Sequence, residues 1–196
     1  VTESRYDTLR SIHDYICNRA WYNLVSEKKV HSAEPIFIGN GGVVCEGYSK
    51  SFKILCDRLD IPCALISGYA GENHMWNYVQ MEDGNWYAVD VTWNDPLTGS
   101  DTHVSGYENE SYLLVGADTV IGSMGFLDSH PVSNEVTVGG VAFVNGPVLS
   151  ADAYDPSGAS KPVVIPEVKR VGFSLSFEEI ILVNYYYTVS DVTDVV

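Results

Sequence analysis

The feature that most constrains this sequence is a pair of alternating stretches on either side of Glu82-Asp83-Gly84. Residues 74–81 and 85–93 both show the two-residue period of a half-buried β-strand. A three-residue loop with a glycine at the position that requires positive φ joins such strands in a hairpin. In this register Met81 pairs with Asn85, which determines the face of the sheet on which every other side chain of the hairpin lies.

One face of this predicted hairpin is mostly apolar, while the other face carries polar and aromatic side chains. The apolar face suits a core and contains Met75, Val79, Met81, Tyr87, Val89, Val91 and Trp93. The other face contains His74, Trp76, Tyr78, Gln80, Trp86, Ala88, Asp90 and Thr92. Here Trp76 would face Asp90, and His74 would be its diagonal neighbour, about 7–8 Å away at the backbone. We therefore expect an imidazole–carboxylate hydrogen bond between His74 and Asp90.

Two amphipathic helices precede the hairpin. The first, over residues 6–20, has an apolar stripe of Leu9, Ile12, His13, Ile16, Cys17 and Ala20. The second, over residues 46–59, has a buried face of Tyr48, Phe52, Leu55 and Leu59. Pro62 ends it, because the residue before a proline avoids the helical region. Residues 26–44 look like a polar connection, and residues 63–67 like a strand. Helices followed by antiparallel strands predict an α+β fold.

The rest of the chain predicts short elements and a separate C-terminal hairpin. We expect strands at 112–115, 136–138 and 141–144, and a short helix within 117–126. By composition, we predict a domain over 1–154, a linker over 155–166 and a partial β module over 167–196. One hairpin is only marginally stable alone. We therefore expect either that the chain is part of a larger multidomain protein or that this hairpin docks on the main domain.

The charge balance disfavours two kinds of partner. The chain has 11 Lys and Arg residues against 26 Asp and Glu residues, a net charge of −15. Such a surface repels phosphate, so we expect neither nucleic acid nor an anionic membrane surface as partner. Membrane insertion is also not expected, since no apolar run approaches the roughly 20 residues of a spanning helix. A second half rich in Gly, Ser, Thr and Val favours an extracellular or cell-surface location.

The four cysteines have different expected roles. Their spacing matches no zinc motif, so we predict no metal site and no cofactor. Cys17, Cys56 and Cys63 are expected to be buried thiols, with a disulfide between the last two as an alternative. Cys45 follows a glycine-rich turn and begins a helix. Amides at a helix N-terminus favour the thiolate form of a cysteine and can stabilise an oxyanion.

Cys45, His74 and Asp90 together suit a thiol nucleophile that is activated by an imidazole. In this arrangement Asp90 would select the tautomer of His74 and stabilise its imidazolium form. The chain order of cysteine, histidine and aspartate is that of papain-type enzymes.

The motifs around these residues resemble the transglutaminase-like superfamily of thiol enzymes. They are Gly42-Val-Val-Cys45-Glu-Gly-Tyr48, Gly68-Tyr69, His74-Met-Trp-Asn77 and Val89-Asp90-Val-Thr-Trp93. Asn94-Asp95-Pro96 resembles a segment of its bacterial members. The resemblance covers roughly residues 6–115. It implies Cys45 as nucleophile, His74 as base and Asp90 as orienting acid. It also implies a papain-like core in which the cysteine helix packs on an antiparallel sheet.

Two functions are compatible with these residues. The first is a thiol-dependent acyl-transfer enzyme that acts on peptide or isopeptide amides, with hydrolysis favoured over transfer to an amine. The second is a non-catalytic module of a surface protein that binds peptide or cell wall. In both, a protein or peptide is the expected partner.

Several further residues receive expected roles in this site. Trp76, Tyr78 and Trp86 are expected to line the substrate site. The second oxyanion donor stays open among Tyr22, Asn40 and Trp76. We expect His31, His103 and His130 to be solvated bystanders.

Overall fold

The computed structural model describes residues 4–24, 28–99, 102–133, 135–138, 141–144 and 146–157. The predicted C-terminal hairpin and most of the predicted linker lie outside these residues. Among the described residues, none of the helices combines the length and apolar character needed to cross a bilayer.

Helix α1 spans Arg5–Cys17 and confirms the first predicted helix, although it ends three residues earlier. The Asp7 backbone N–H donates to the Ser4 hydroxyl at 3.1 Å, which caps the helix N-terminus. Its apolar stripe is fully buried and includes Leu9, Ile12 and Ile16. Burial of this stripe anchors α1 against the next long helix and the sheet.

The connection between the two predicted helices contains more structure than its polar composition indicated. Strand β1 (Trp21–Tyr22) pairs in parallel with β2 (Gly42–Val43). Between them lie a 3₁₀-helix (Lys28–His31) and α2 (Glu34–Ile38). The expectation of a plain polar connection is therefore wrong. The parallel pairing depends on contacts between ends twenty residues apart, which no local pattern reports.

The glycine-rich turn holds the start of the second long helix in place. Gly41 adopts a φ of +85°, and a Cβ there would lie 1.8 Å from the Arg19 carbonyl oxygen. Only glycine can occupy this position without displacing the end of α1. Helix α3 (Cys45–Arg58) begins directly after β2. Its buried face contains Tyr48, Phe52 and Leu55, as predicted.

Four antiparallel strands in the order β3-β4-β5-β6 form the central sheet. They are β3 (Cys63–Tyr69), β4 (Asn73–Gln80), β5 (Trp86–Val89) and β6 (Leu113–Val115). Tyr78 pairs with Ala88, which is the predicted register. Gly84 has a φ of +83°, as the three-residue loop requires. The hairpin is therefore confirmed in loop type and register.

The second strand of the hairpin ends four residues before its predicted end. Instead of pairing with β4, Asp90 caps the one-turn helix α4 (Val91–Asn94). Its Oδ1 accepts the Trp93 backbone N–H at 3.1 Å. The expected pairs of His74 with Thr92 and of Trp76 with Asp90 therefore do not form. A capping carboxylate offers the backbone an alternative to the strand ladder, which explains the early end.

Both faces of the central sheet are buried. Val79, Met81, Tyr87 and Val89 pack against α1 and α3 in one core, as predicted for the apolar face. The other face forms a second core of Ala64, Ile66, Trp76, Tyr78, Ala88, Val115 and Phe126. The sequence indicated that this polar and aromatic face is open to substrate. The second core shows instead that it is buried, which corrects that expectation.

The chain after β6 covers this second face. The predicted helix within 117–126 is wrong, since the segment contains the hairpin of β7 (Val120–Ile121) and β8 (Met124–Gly125). A short helix, α5 (Phe126–Ser129), follows and buries Phe126. Strands β9 (Glu135–Val138) and β10 (Val141–Val144) pair in antiparallel fashion and confirm the last predicted strands. The fold is thus α+β, with the Cys45 helix packed on an antiparallel sheet, as expected.

Candidate active site

Three elements that are distant in sequence bring the predicted catalytic residues together. Cys45 begins α3, His74 is the second residue of β4, and Asp90 follows β5. His74 Nε2 lies 2.6 Å from Asp90 Oδ2. Both His74 and Asp90 are buried, while Cys45 is partly exposed. The site therefore combines a partly exposed cysteine with a buried imidazole–carboxylate pair.

Asp90 is a buried carboxylate with hydrogen-bond donors on both oxygens. Oδ2 lies 2.6 Å from His74 Nε2 and 3.3 Å from His130 Nε2, and Oδ1 accepts the Trp93 backbone N–H. Burial alone raises the pKa of a carboxyl group. The hydrogen bonds from His130 and His74 outweigh that burial and lower the pKa of Asp90. Asp90 is consequently ionised at neutral pH.

His74 is held in its protonated form. Burial lowers its pKa, but hydrogen bonds to Asp90 and Cys45 outweigh that effect and raise the pKa to about 10. Its ring also lies near those of Trp76 and Trp93, with centroids 5.9 Å and 6.0 Å away. Since Nε2 faces Asp90, Nδ1 is the ring nitrogen left for the sulfur. An imidazolium next to a cysteine favours the thiolate.

Tyr22 is the oxyanion-donor candidate that the structure brings to the nucleophile. Its hydroxyl group lies within hydrogen-bonding reach of the Cys45 backbone, and burial followed by the charge of Cys45 raises its pKa to about 12. The Asn40 Oδ1 instead accepts the Gly42 N–H at 3.1 Å within its own turn. Trp76 is fully buried in the second core. Tyr22 therefore remains the best placed of the three candidates.

Two of the three residues that were expected to line the substrate site are buried. Trp76 and Tyr78 are 0% and 1% exposed and have no surface to offer a substrate. Trp86 pairs with Gln80, six residues along β4 from His74, which corresponds to about 20 Å at the strand rise. The prediction is wrong for Trp76 and Tyr78, because segments after β6 cover that face of the sheet. For the half-buried Trp86 it stays a prediction.

His130 is the site residue that sequence reasoning missed. It was expected to be a solvated bystander, yet it is 0% exposed and lies against Asp90. Its position depends on how residues 126–133 cross the sheet, and no local motif marks it. His31 is exposed and bonds Glu46 at 2.8 Å, as expected of a surface histidine. His103 is partly buried, with Nδ1 3.3 Å from the Ala20 carbonyl oxygen.

His74, Asp90 and His130 also offer the ligand types of a zinc site. One ligand atom from each lies within 4.8 Å of the others. The His74–Asp90 distance of 2.6 Å is that of a hydrogen bond. Two ligands of one tetrahedral zinc ion lie roughly 3.3 Å apart, given bonds of about 2.0–2.1 Å. The geometry thus fits shared protons better than a shared metal, and the absence of a metal site stays a prediction.

The other three cysteines are buried free thiols, as predicted, and the alternative disulfide does not form. Cys17 lies 3.6 Å from His13 Nε2, and His13 Nδ1 lies 2.9 Å from Asp14 Oδ1. The chain therefore contains a second cysteine–histidine–aspartate set. Burial raises the pKa of Cys17 far above the normal range and closes it to solvent. Exposure and not residue type distinguishes Cys45 from Cys17.

This site has the constellation of a thiol enzyme: a partly exposed cysteine, an imidazolium and a buried carboxylate. Residues 2–91 match the family model of the transglutaminase-like superfamily. The matched segment contains Cys45, His74 and Asp90, and the match supports a thiol enzyme in general terms.

The solved structures that are similar to this chain include the following two. One is named "Crystal structure of a TGase"; it is 18% identical, with a TM-score of 0.41, and the match covers 63% of this chain and 37% of that one. The other is "a Putative Cysteine Protease from Cytophaga hutchinsonii", 23% identical, with a TM-score of 0.39 and coverage of 69% and 40%. The match thus spans well under half of either solved chain. No curated protein matches this sequence at a significant level.

Proposed function

We propose that this protein is a thiol-dependent acyl-transfer enzyme that acts on peptide or isopeptide amide bonds through a thioester on Cys45. The observation that carries the proposal is the partly exposed Cys45 at the start of α3, next to a His74 that Asp90 holds at 2.6 Å. The match of residues 2–91 to the family model of the transglutaminase-like superfamily supports thiol chemistry.

The first half of the proposed reaction cleaves the amide. The Cys45 thiolate attacks the carbonyl carbon, a C–S bond forms, and the carbonyl π electrons move to oxygen. As the tetrahedral intermediate collapses, the C–N bond breaks and His74 gives its proton to the leaving nitrogen. The products of this half are a free amine or ammonia and a thioester on Cys45.

The second half releases the acyl group. His74, now neutral, takes a proton from water or from an amine as that nucleophile attacks the thioester carbon. The C–S bond then breaks, and the Cys45 thiolate and the His74 imidazolium are restored. Asp90 stays ionised throughout and holds one tautomer of His74.

Oxyanion stabilisation accompanies both halves. The Cys45 backbone N–H lies at the N-terminus of a 14-residue helix, where it can point at the developing charge. The Tyr22 hydroxyl, adjacent to the Cys45 backbone, supplies the second donor in this proposal.

Hydrolysis is the favoured outcome of the second half. Transfer requires an acceptor amine to outcompete water, which is present at about 55 M, and thus a channel that excludes water. The two tryptophans that could have formed such a channel are placed elsewhere: Trp76 is buried and Trp86 lies at the far end of β4. The burial of Trp76 and Tyr78 removes aromatic surface that both the enzyme and the non-catalytic binding module were expected to use.

The test offers a glutamine peptide together with a labelled primary amine and follows both ammonia release and label incorporation. We expect ammonia release with little incorporation for the wild type, and neither signal for Cys45→Ala. His31→Ala is the control histidine variant, because His31 is exposed and its ion-pair partner is Glu46 and not a member of the Cys45–His74–Asp90 set. Efficient incorporation would make transfer the main reaction. Turnover that survives Cys45→Ala would contradict the thiol mechanism itself.

A further inference from the structure

The segment that contains His130 forms backbone hydrogen bonds with strand β3. Tyr69 N–H donates to the Pro131 carbonyl oxygen at 3.1 Å, and Ser133 N–H donates to the Ser67 carbonyl oxygen at 2.9 Å. A Cβ on Gly68 would lie 2.1 Å from that same Pro131 oxygen, so the close approach requires glycine. His130 is therefore fixed relative to β3, beside the strand that carries His74.

The His130 ring is held on several sides by aromatic neighbours. It stacks on Phe126, with centroids 4.3 Å apart and planes 13° from parallel. Trp93 meets it edge-on at 4.6 Å, and Trp76 does so at 5.2 Å. With no exposed surface, the ring has little freedom to turn away from Asp90.

Both ring nitrogens of His130 have hydrogen-bond partners, and these partners determine which nitrogen carries the proton. The Ser129 hydroxyl lies 2.8 Å from His130 Nδ1, to which it can donate its proton, and 2.9 Å from the Phe126 carbonyl oxygen. Nε2 lies 3.3 Å from Asp90 Oδ2. An ionised carboxylate only accepts hydrogen bonds. Nε2 must therefore carry a proton and donate it to the same oxygen that His74 uses.

We propose that His130 is a positioning residue of this site, which holds Asp90 in the orientation and charge state that His74 requires. This inference rests on the proposed function. During the reaction His74 gives up and regains a proton, and at the neutral stage its attraction for Asp90 weakens. The hydrogen bond from His130 keeps the carboxylate in place through that stage.

The groups around Asp90 leave few other candidates for this role. The titratable side chains near Asp90 include those of His74 on β4, Cys45 on α3 and Tyr22 on β1. The Asp90 backbone N–H donates to the Tyr112 carbonyl oxygen at 3.0 Å. Of the titratable side chains among the described residues around Asp90, only His74 and His130 donate to its carboxylate. Losing His130 raises the pKa of Asp90, because a donor that favours the charged form is removed. Asp90 then protonates at higher pH, and His74 loses its charged partner.

The experiment measures the rate of Cys45 alkylation by iodoacetamide from about pH 4 to about pH 9, which reports the thiolate–imidazolium pair without any substrate. His130→Phe keeps a stacked ring and removes the donor, whereas His130→Gln retains an N–H donor. For His130→Phe we expect the acid limb to move to higher pH and the rate there to fall about tenfold, as for one lost hydrogen bond to a charge. His130→Gln should recover most of that loss.

Two outcomes would overturn the proposal: a His130→Phe profile that equals the wild type, or a His130→Gln profile as impaired as that of His130→Phe. Thermal unfolding of each variant confirms that it is folded. If His130→Phe does not fold, ¹⁵N NMR of the wild type decides, since we expect the proton on Nε2 and an unprotonated Nε2 would overturn the proposal. A failure of the proposed thiol-enzyme function can be distinguished from a failure of the His130 proposal. In the first case His74→Ala would leave the rate of Cys45 alkylation unchanged.

Discussion

His74 Nε2 and Asp90 Oδ2 lie 2.6 Å apart, although the two residues do not pair in the sheet. Asp90 has left the strand to cap α4, and its second oxygen is thereby free to face β4. One carboxylate therefore terminates a strand, begins a helix and orients an imidazole. A change at Asp90 should thus affect both the imidazole of His74 and the start of α4.

Asp90→Asn should abolish most turnover. An amide at this position can donate to His74 where the carboxylate accepts, which favours the wrong tautomer, and comparable changes reduce kcat by about 10⁴. The measurement is ammonia release from a glutamine peptide. Asp14→Asn is the matched control, since Asp14 bonds His13 at 2.9 Å in the second, buried set and should leave the rate unchanged.

Cys45 should alkylate faster than the other three cysteines near neutral pH. Cys17, Cys56 and Cys63 are buried, and burial raises the pKa of Cys17 and Cys56, which keeps them as thiols. Mass spectrometry of peptides after brief labelling identifies the modified residue. His74→Ala should slow the labelling of Cys45, while His13→Ala should not. Equal rates for all four thiols in the folded protein would contradict the assignment of Cys45 as nucleophile.

Tyr22→Phe should separate oxyanion stabilisation from thiol reactivity. Peptide turnover should fall by about 10²–10³-fold, the usual effect of removing one oxyanion donor. The rate of Cys45 alkylation should stay close to that of the wild type, because alkylation at sulfur creates no oxyanion. A parallel loss of both rates would show that Tyr22 instead acts on the thiol.

Stability should depend on pH through Asp95. Burial raises its pKa to about 6, against the opposing hydrogen bond from the Tyr48 hydroxyl at 2.6 Å. Since the folded pKa exceeds the unfolded one, the protonated form is favoured by folding. The contribution of Asp95 to the free energy of unfolding is thus largest below about pH 4 and is lost as the pH rises to about 6. A shift of this size corresponds to at most about 3 kcal/mol.

Urea denaturation of the wild type and of Asp95→Asn, at several pH values, measures this contribution as a difference. The difference in the free energy of unfolding should vary between about pH 4 and pH 6 and be constant above that range. Tyr48→Phe should move the variation to higher pH, because it removes a donor that favours the ionised carboxylate. A difference that does not vary with pH would contradict the raised pKa of Asp95.

Trp76→Ala and Trp86→Ala should affect stability and not substrate binding. Trp76 is fully buried in the second core, so its truncation should cost about 3–5 kcal/mol. Trp86 is partly buried at the far end of the hairpin, and Trp86→Ala should leave KM unchanged while lowering the melting temperature. A markedly raised KM for a folded Trp86→Ala protein would restore that residue to the substrate site.

Much of this protein follows from local patterns in its sequence. The helix of α3, the register of the β4–β5 hairpin and the positions of Cys45 and His74 depend on periodicity and on one glycine loop, whereas Asp90 leaves the predicted strand to cap α4. These features are short-range, since each is determined by the chemistry of residues close together in the chain. For that reason the candidate triad could be assembled from the sequence alone.

The tertiary structure alone decided which faces are covered and which groups meet. Trp76 is buried because Phe126 and its neighbours fold over the sheet, and His130 reaches Asp90 because its segment pairs with β3 beside Gly68. Burial also distinguishes Cys17 from Cys45, although Cys17 has its own histidine and aspartate set in His13 and Asp14. Such contacts join residues tens of positions apart, and their free energy depends on excluding water from a whole interface, so no short stretch of sequence reports them.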